Sequence, residues 1–125
     1  MVQVQKGEQV PRKRDFFYAL DVDPMYYIYI IYSTSSDKYY VGYTSDYERR
    51  LYEHNHQEFF NTYTSKHRPW VLKAVFECGD SEKEAIRIEH FIKKQKSRRF
   101  IEQMIKTEKF DSSLAQLVRV PRMRD

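Results

Sequence analysis

Tyr29 and Tyr40, Arg50 and His54, and Glu89 are the residue types that hydrolysis of a phosphodiester calls for. That reaction needs an attacking water, a group to take its proton, positive charge on the phosphate, and something to stabilise the leaving oxygen. Phenols on two neighbouring strands can converge on one point. An arginine is always charged and grips two phosphate oxygens in a fork. A histidine at i+4 from it, one helical turn on, reaches the same phosphate or positions the water. A glutamate supplies hard oxygen ligands to a single Mg²⁺ or Mn²⁺, whose shell is completed by substrate phosphate and water. A phenol near pKa ~10 is a poor base at neutral pH unless a cation lowers the demand on it.

Each residue also has an ordinary explanation. Tyr29 and Tyr40 are residue types common in strands. Arg50 and His54 could form a solvated helix face paired with Glu53 or Glu58. Glu89 could simply bond Lys93 at i+4. The joint pattern is what distinguishes the readings.

The elements that must hold these residues follow from local pattern. Tyr26 to Tyr32 is rich in β-branched and aromatic side chains, a Thr34-Ser35-Ser36-Asp37 cluster follows, and Tyr39 to Tyr43 resumes the strand composition, which predicts a β-hairpin. Asp46 is placed to cap a helix over Tyr47 to His56. Residues 57–69 look like a loop closed by Pro69. Trp70 to Cys78 reads as a third strand broken by Gly79-Asp80. Ser81-Glu82-Lys83-Glu84 matches a capping box that opens a helix to about Gln95, with Ala85, Ile88, Phe91 and Ile92 on one apolar arc and Glu89 at its edge. A last helix covers about Arg98 to Lys106. The expected fold is therefore α+β, a small three-stranded antiparallel sheet flanked by helices in the order β-β-α-β-α-α.

Tyr27-Ile28-Tyr29, ten residues, Tyr40-Val41-Gly42, then Arg50, His54 and Glu89 on successive helices resemble the GIY-YIG nuclease superfamily. The run MYYIYIIYS from Met25 to Ser33 is similar to the opening of its small single-domain members. The resemblance covers about residues 25–106. It implies a metal-dependent DNA endonuclease, active in repair or in processing damaged or branched DNA, with a catalytically silent nucleic-acid-binding module of the same fold as the alternative. It further implies that one of the two tyrosines, here taken as Tyr29, accepts the proton of the attacking water. Two positions depart from the family: Tyr43 stands where some members carry a lysine, leaving Lys66 as a candidate substitute, and no asparagine is found between Glu89 and Lys106 where several members have one.

Two segments are candidates for DNA contact. Lys93, Lys94, Lys96, Arg98 and Arg99 put five positive charges into seven residues, a cluster suited to a phosphate backbone but also to a helix C-terminus. Lys66, His67 and Arg68 lie in a donor-rich loop similar to a segment of small family members. His56, His67 and His90 lack the spacing of a zinc site.

Composition limits the rest. The chain has 125 residues, 41% hydrophobic and 32% charged, with a formal net charge of +4, which suits one small domain. The longest apolar run, Tyr26 to Tyr32, is far short of the ~20 residues of a spanning helix, so no membrane partner is expected. Neither a signal peptide nor a small-molecule substrate is indicated. A lone cysteine, Cys78, requires no oxidising compartment, and a cytoplasmic setting is expected. Residues 1–24 and 107–125 carry no clear pattern and are expected to be loosely ordered, with Met25 a candidate start of translation. Eleven tyrosines are present, ten of them between Tyr26 and Tyr63, more than core packing demands.

Overall fold

A computed structural model describes residues 24–58 and 60–121. The expectation for residues 1–23 lies outside the described residues. Strand β1 (Tyr26–Ser33) turns through residues 34–37 into β2 (Lys38–Thr44). The reversal is held by the Asp37 amide on the Ser33 carbonyl at 2.9 Å, with Asp37 in the left-handed region at φ 57°. That conformation is tolerated by aspartate far better than by β-branched residues.

Helix α1 (Tyr47–His56) begins where expected, the Asp46 carboxylate accepting from the Arg49 amide at 3.1 Å. A short helix α2 (Thr62–Ser65) precedes β3 (Trp70–Gly79), which is followed by α3 (Glu82–Lys94) and α4 (Arg98–Lys106). Ser81 caps α3 as its sequence foretold, but Glu84 turns its carboxylate to Arg87 rather than completing a capping box. A 3₁₀ turn (Ser112–Leu114) and a two-residue strand β4 (Val118–Arg119) complete the described chain.

All strand pairs are antiparallel, in the order β2-β1-β3-β4. The sheet thus has four strands where three were expected, and α2 occupies what was read as plain loop. The segment after residue 106 was expected to be loose. Instead Leu114 and Leu117 are 7% and 3% exposed in the main core, and β4 pairs with Phe76 and Glu77. Two leucines in a polar segment give too short a pattern to announce a strand.

The central strand β1 divides the two cores by its alternation. Tyr26, Ile28 and Ile30 face Ala85, Ile88, Ile92 and Met104 of α3 and α4, while Tyr29 and Ile31 face Trp70 and Val75, with Tyr47 and Leu51 of α1 alongside. In the β1–β2 register Tyr29 lies opposite Gly42 and Ile31 opposite Tyr40. Tyr29 and Tyr40 therefore share the α1 side of the hairpin, one diagonal apart.

Candidate active site

Tyr29, Tyr40, Arg50 and Glu89 line one cleft of about 660 Å³ at the edge strand β2. Gly42, Tyr43, Thr44 and Ser45 also line it. The residues come from two strands and two helices, so the hairpin register and both helix caps are needed to assemble it.

Gly42 has a steric reason to be glycine. A Cβ built there would overlap the Tyr29 hydroxyl and lie 2.6 Å from its Cζ. The Tyr29 ring crosses the β2 backbone in the space a side chain would fill. Its hydroxyl hydrogen bonds to His54 Nε2 at 2.7 Å, and His54 Nδ1 bonds to Thr64 Oγ1 at 2.9 Å. Burial pushes the Tyr29 phenol well above its ordinary pKa, with Tyr40 and Glu89 adding to the rise and Arg50 opposing it. The same side chains that line the cleft thus act on its oxygen.

His54 is 1% exposed and is not among the residues lining the cleft. Neither the solvated helix face nor direct reach to a phosphate describes it; it stands behind Tyr29. Burial, aided by the Arg50 and Arg68 charges, lowers its pKa to about 4, so the imidazole is neutral near pH 7.

Arg50 is half-buried, its Nε donating to Glu53 Oε1 at 2.9 Å and its guanidinium lying 5.3 Å from the Phe60 ring centre. The pairing with Glu53 coexists with its place in the cleft. Glu89 is 17% exposed and pairs with Lys93 at 3.2 Å, the contact expected at i+4. That lysine also sits 5.0 Å above the Tyr40 ring. Tyr43 fills the position of the absent lysine, its hydroxyl donating to Glu82 at 3.1 Å, and burial with that bond raises its pKa to about 12. The lysine that contacts the cleft residues is therefore Lys93, whereas Lys66 is exposed beyond α2.

Glu89 is a hard oxygen donor facing the cleft, and Ser45, also in its lining, has its Oγ buried with no hydrogen-bond partner among the described residues. No group of three or more His, Cys, Asp or Glu side chains is gathered among the described residues. These features fit a hard divalent cation that takes one carboxylate from the protein and its other ligands from substrate and water. They do not fit a zinc cage.

The residues expected at DNA divide. Arg68 donates to the carbonyls of His54 at 2.6 Å and Gln57 at 2.7 Å, closing the end of α1, and is committed to the fold. His67 bonds Ser36 at 2.8 Å. Arg98 bonds Asp37 at 2.7 Å and Glu102 at 3.1 Å and covers Tyr39, joining the hairpin turn to α4. Lys94, Lys96 and Arg99 are exposed with no ion pair among the described residues. Asn61 and Thr64 were not anticipated: Asn61 Nδ2 donates to the Tyr40 hydroxyl at 3.3 Å. The signal for them was an Asn three residues before Thr64, the spacing of a helix N-cap.

The sequence matches the GIY-YIG catalytic domain over residues 25–103. This chain belongs to the GIY-YIG family. A UPF0213 protein of Haloquadratum walsbyi is 43% identical over 68 residues, covering 54% of this chain and 73% of the relative. A UPF0213 protein of Halobacterium salinarum is 41% identical over 69 residues, covering 55% and 86%. Both alignments are about ten residues shorter than the GIY-YIG match. Among the described residues no helix is long and apolar enough to cross a membrane.

Proposed function

We propose that this GIY-YIG domain is a metal-dependent endonuclease that hydrolyses DNA phosphodiesters. The observation carrying the reading is the convergence of Tyr29, Tyr40, Arg50 and Glu89 on one cleft, with Tyr29 bonded to a neutral buried histidine.

Arg50 binds the scissile phosphate and stabilises the charge that develops on it. The Tyr29 oxygen accepts the proton of the attacking water as its own proton moves toward His54 Nε2. A phenol held above its usual pKa need not ionise first in such a relay; burial and the Arg50 and Arg68 charges disfavour an imidazolium, so the proton passed to His54 is held only while negative charge on the phosphate develops to offset it. Tyr40 donates its hydroxyl to a phosphate oxygen. Glu89 would hold the cation, which when bound supplies Lewis-acid charge at the phosphate. Lys94, Lys96 and Arg99 contribute backbone contacts without reading sequence.

One observation favours a second reading, a nucleic-acid-binding module without turnover: Lys93 already neutralises the carboxylate assigned to the metal. Incubation with labelled duplex, single-stranded and branched DNA in Mg²⁺, Mn²⁺ or EDTA separates the two. Metal-dependent cutting lost in Arg50→Ala and Glu89→Ala is expected. Salt-sensitive binding with no cutting in either metal would support the silent module instead.

A further inference from the structure

We propose that Asn61 and Thr64, at the two ends of the first turn of α2, are positioning residues that assign opposite proton roles to the two cleft tyrosines. The inference rests on the nuclease reading for its consequence, but its geometry stands apart from it.

At Asn61 the hydrogen-bond direction is fixed by a group with only one option. The Asn61 side-chain oxygen accepts from the Thr64 amide at 2.9 Å, and an amide N–H can only donate. The Asn61 Nδ2 is therefore the atom turned to Tyr40, and the Tyr40 oxygen must accept from it. The Tyr40 proton is left to point elsewhere, and Tyr40 lines the cleft.

The second chain ends on a carbonyl. Thr64 Oγ1 lies 2.9 Å from His54 Nδ1 and 3.4 Å from the Asn61 carbonyl oxygen, which also accepts the Ser65 amide at 2.9 Å, and we assign the threonine hydroxyl proton to that carbonyl. In that arrangement His54 Nδ1 donates to Thr64 Oγ1, which leaves Nε2 as the bare nitrogen. The Tyr29 hydroxyl accordingly donates to Nε2, and its lone pairs face the cleft. Tyr29 is set to accept a proton and Tyr40 to give one. The two phenols, alike in type and side by side on one hairpin, are made unlike by a four-residue helix in the connection between α1 and β3.

Thr64 is fully buried and the Trp70 indole donates to its carbonyl at 2.8 Å, so α2 is anchored where both bonds are made. Asn61 is also the N-cap of α2. The cap and the orientation of Tyr40 are two uses of one side chain.

The test is the tautomer of His54, read by long-range ¹H–¹⁵N correlation on the full chain at neutral pH and assigned with His54→Gln. The Nδ1-protonated form is expected in the unsubstituted protein. An Nε2-protonated imidazole there would overturn the proposal without any variant being made. Thr64→Val should release the constraint and shift the ring toward the Nε2-protonated form, with Thr64→Ser restoring the original; an unchanged tautomer in Thr64→Val contradicts it.

In cleavage, Asn61→Asp keeps the acceptor that caps α2 but turns the Tyr40 proton onto its own carboxylate. It should lower kcat by roughly tenfold, part of the ~10²–10⁴ that positioned proton transfer supplies. It should cost nothing further in a Tyr40→Phe background, which removes the hydroxyl through which it acts. Equal losses in both backgrounds would contradict the role given to Asn61. A protein that cuts no DNA overturns the proposed function, and the tautomer measurement still decides this inference.

Discussion

Tyr29 carries three constraints at once: its ring needs the space over Gly42, its oxygen faces the cleft, and its proton needs His54. Gly42→Ala should therefore displace the ring, costing about 1–3 kcal/mol of stability by overpacking, measured by urea unfolding, and cleavage with it. Tyr29→Phe keeps the ring but leaves His54 Nε2 buried without its partner, a loss of about 1–2 kcal/mol in the same assay. His54 also predicts a pH dependence. Its folded pKa of about 4 lies below the unfolded ~6.5, so between these values the unfolded chain binds more protons and stability rises with pH. The contribution is fully present above pH ~6.5 and is lost as pH falls through about 4. It amounts to about 2–3 kcal/mol, and His54→Gln should flatten that part of the pH–stability curve. The residue types and spacing of Tyr29, Tyr40, Arg50 and Glu89 were legible in the sequence. The burial of His54 was not, because Arg50 and His54 sit alike on a helical period and only the packing of Tyr40, Phe60 and, from α2, Thr64 against that turn covers one of them.

Helix caps were the readable part of the elements. Asp46 and Ser81 cap where their types and positions indicate, and α4 keeps the range expected of it. The connection between α1 and β3 was not readable as structure, since its order comes from distant partners: Asn55 bonds both the amide and the carbonyl of Trp70, and Arg68 closes the carbonyls of α1. Arg68 looked like a phosphate ligand because charge alone does not distinguish a cation that binds backbone from one that binds DNA. Arg68→Ala should lower the unfolding midpoint and leave the salt dependence of DNA binding unchanged. Lys94→Ala or Arg99→Ala should do the reverse, each reducing the slope of log affinity against log salt by about 0.9 while leaving the midpoint in place. Titration of binding between low and moderate salt, beside urea unfolding, reads both.

At the scale of the molecule, the site depends on a sheet that closes late in the chain. Antiparallel pairing of β1 with β2 and β3 followed from hydrophobic pattern, whereas β4 is two residues long and its support is Leu114 and Leu117 seated in the core against β3 and α4. Leu117→Ala should cost roughly 2–3 kcal/mol, and ending the chain at Lys106 should cost at least that much, measured by thermal and urea unfolding. A chain stopped at Lys106 and as stable as the whole would contradict this account of the fold. The crowding of tyrosines that composition alone left unexplained now separates by place. Tyr29 and Tyr40 meet at the reactive end of the cleft, Tyr26 and Tyr43 line it, Tyr32 and Tyr39 serve the hairpin's junction with α4, and Tyr63 stacks on Tyr40. The most direct test of the central claim is single-turnover cleavage of end-labelled DNA in Mg²⁺ or Mn²⁺ by the unsubstituted chain and by Tyr29→Phe. Metal-dependent cutting that falls at least about 10²-fold in Tyr29→Phe, with DNA binding retained, is the predicted result. Cutting at an equal rate by both proteins would contradict it.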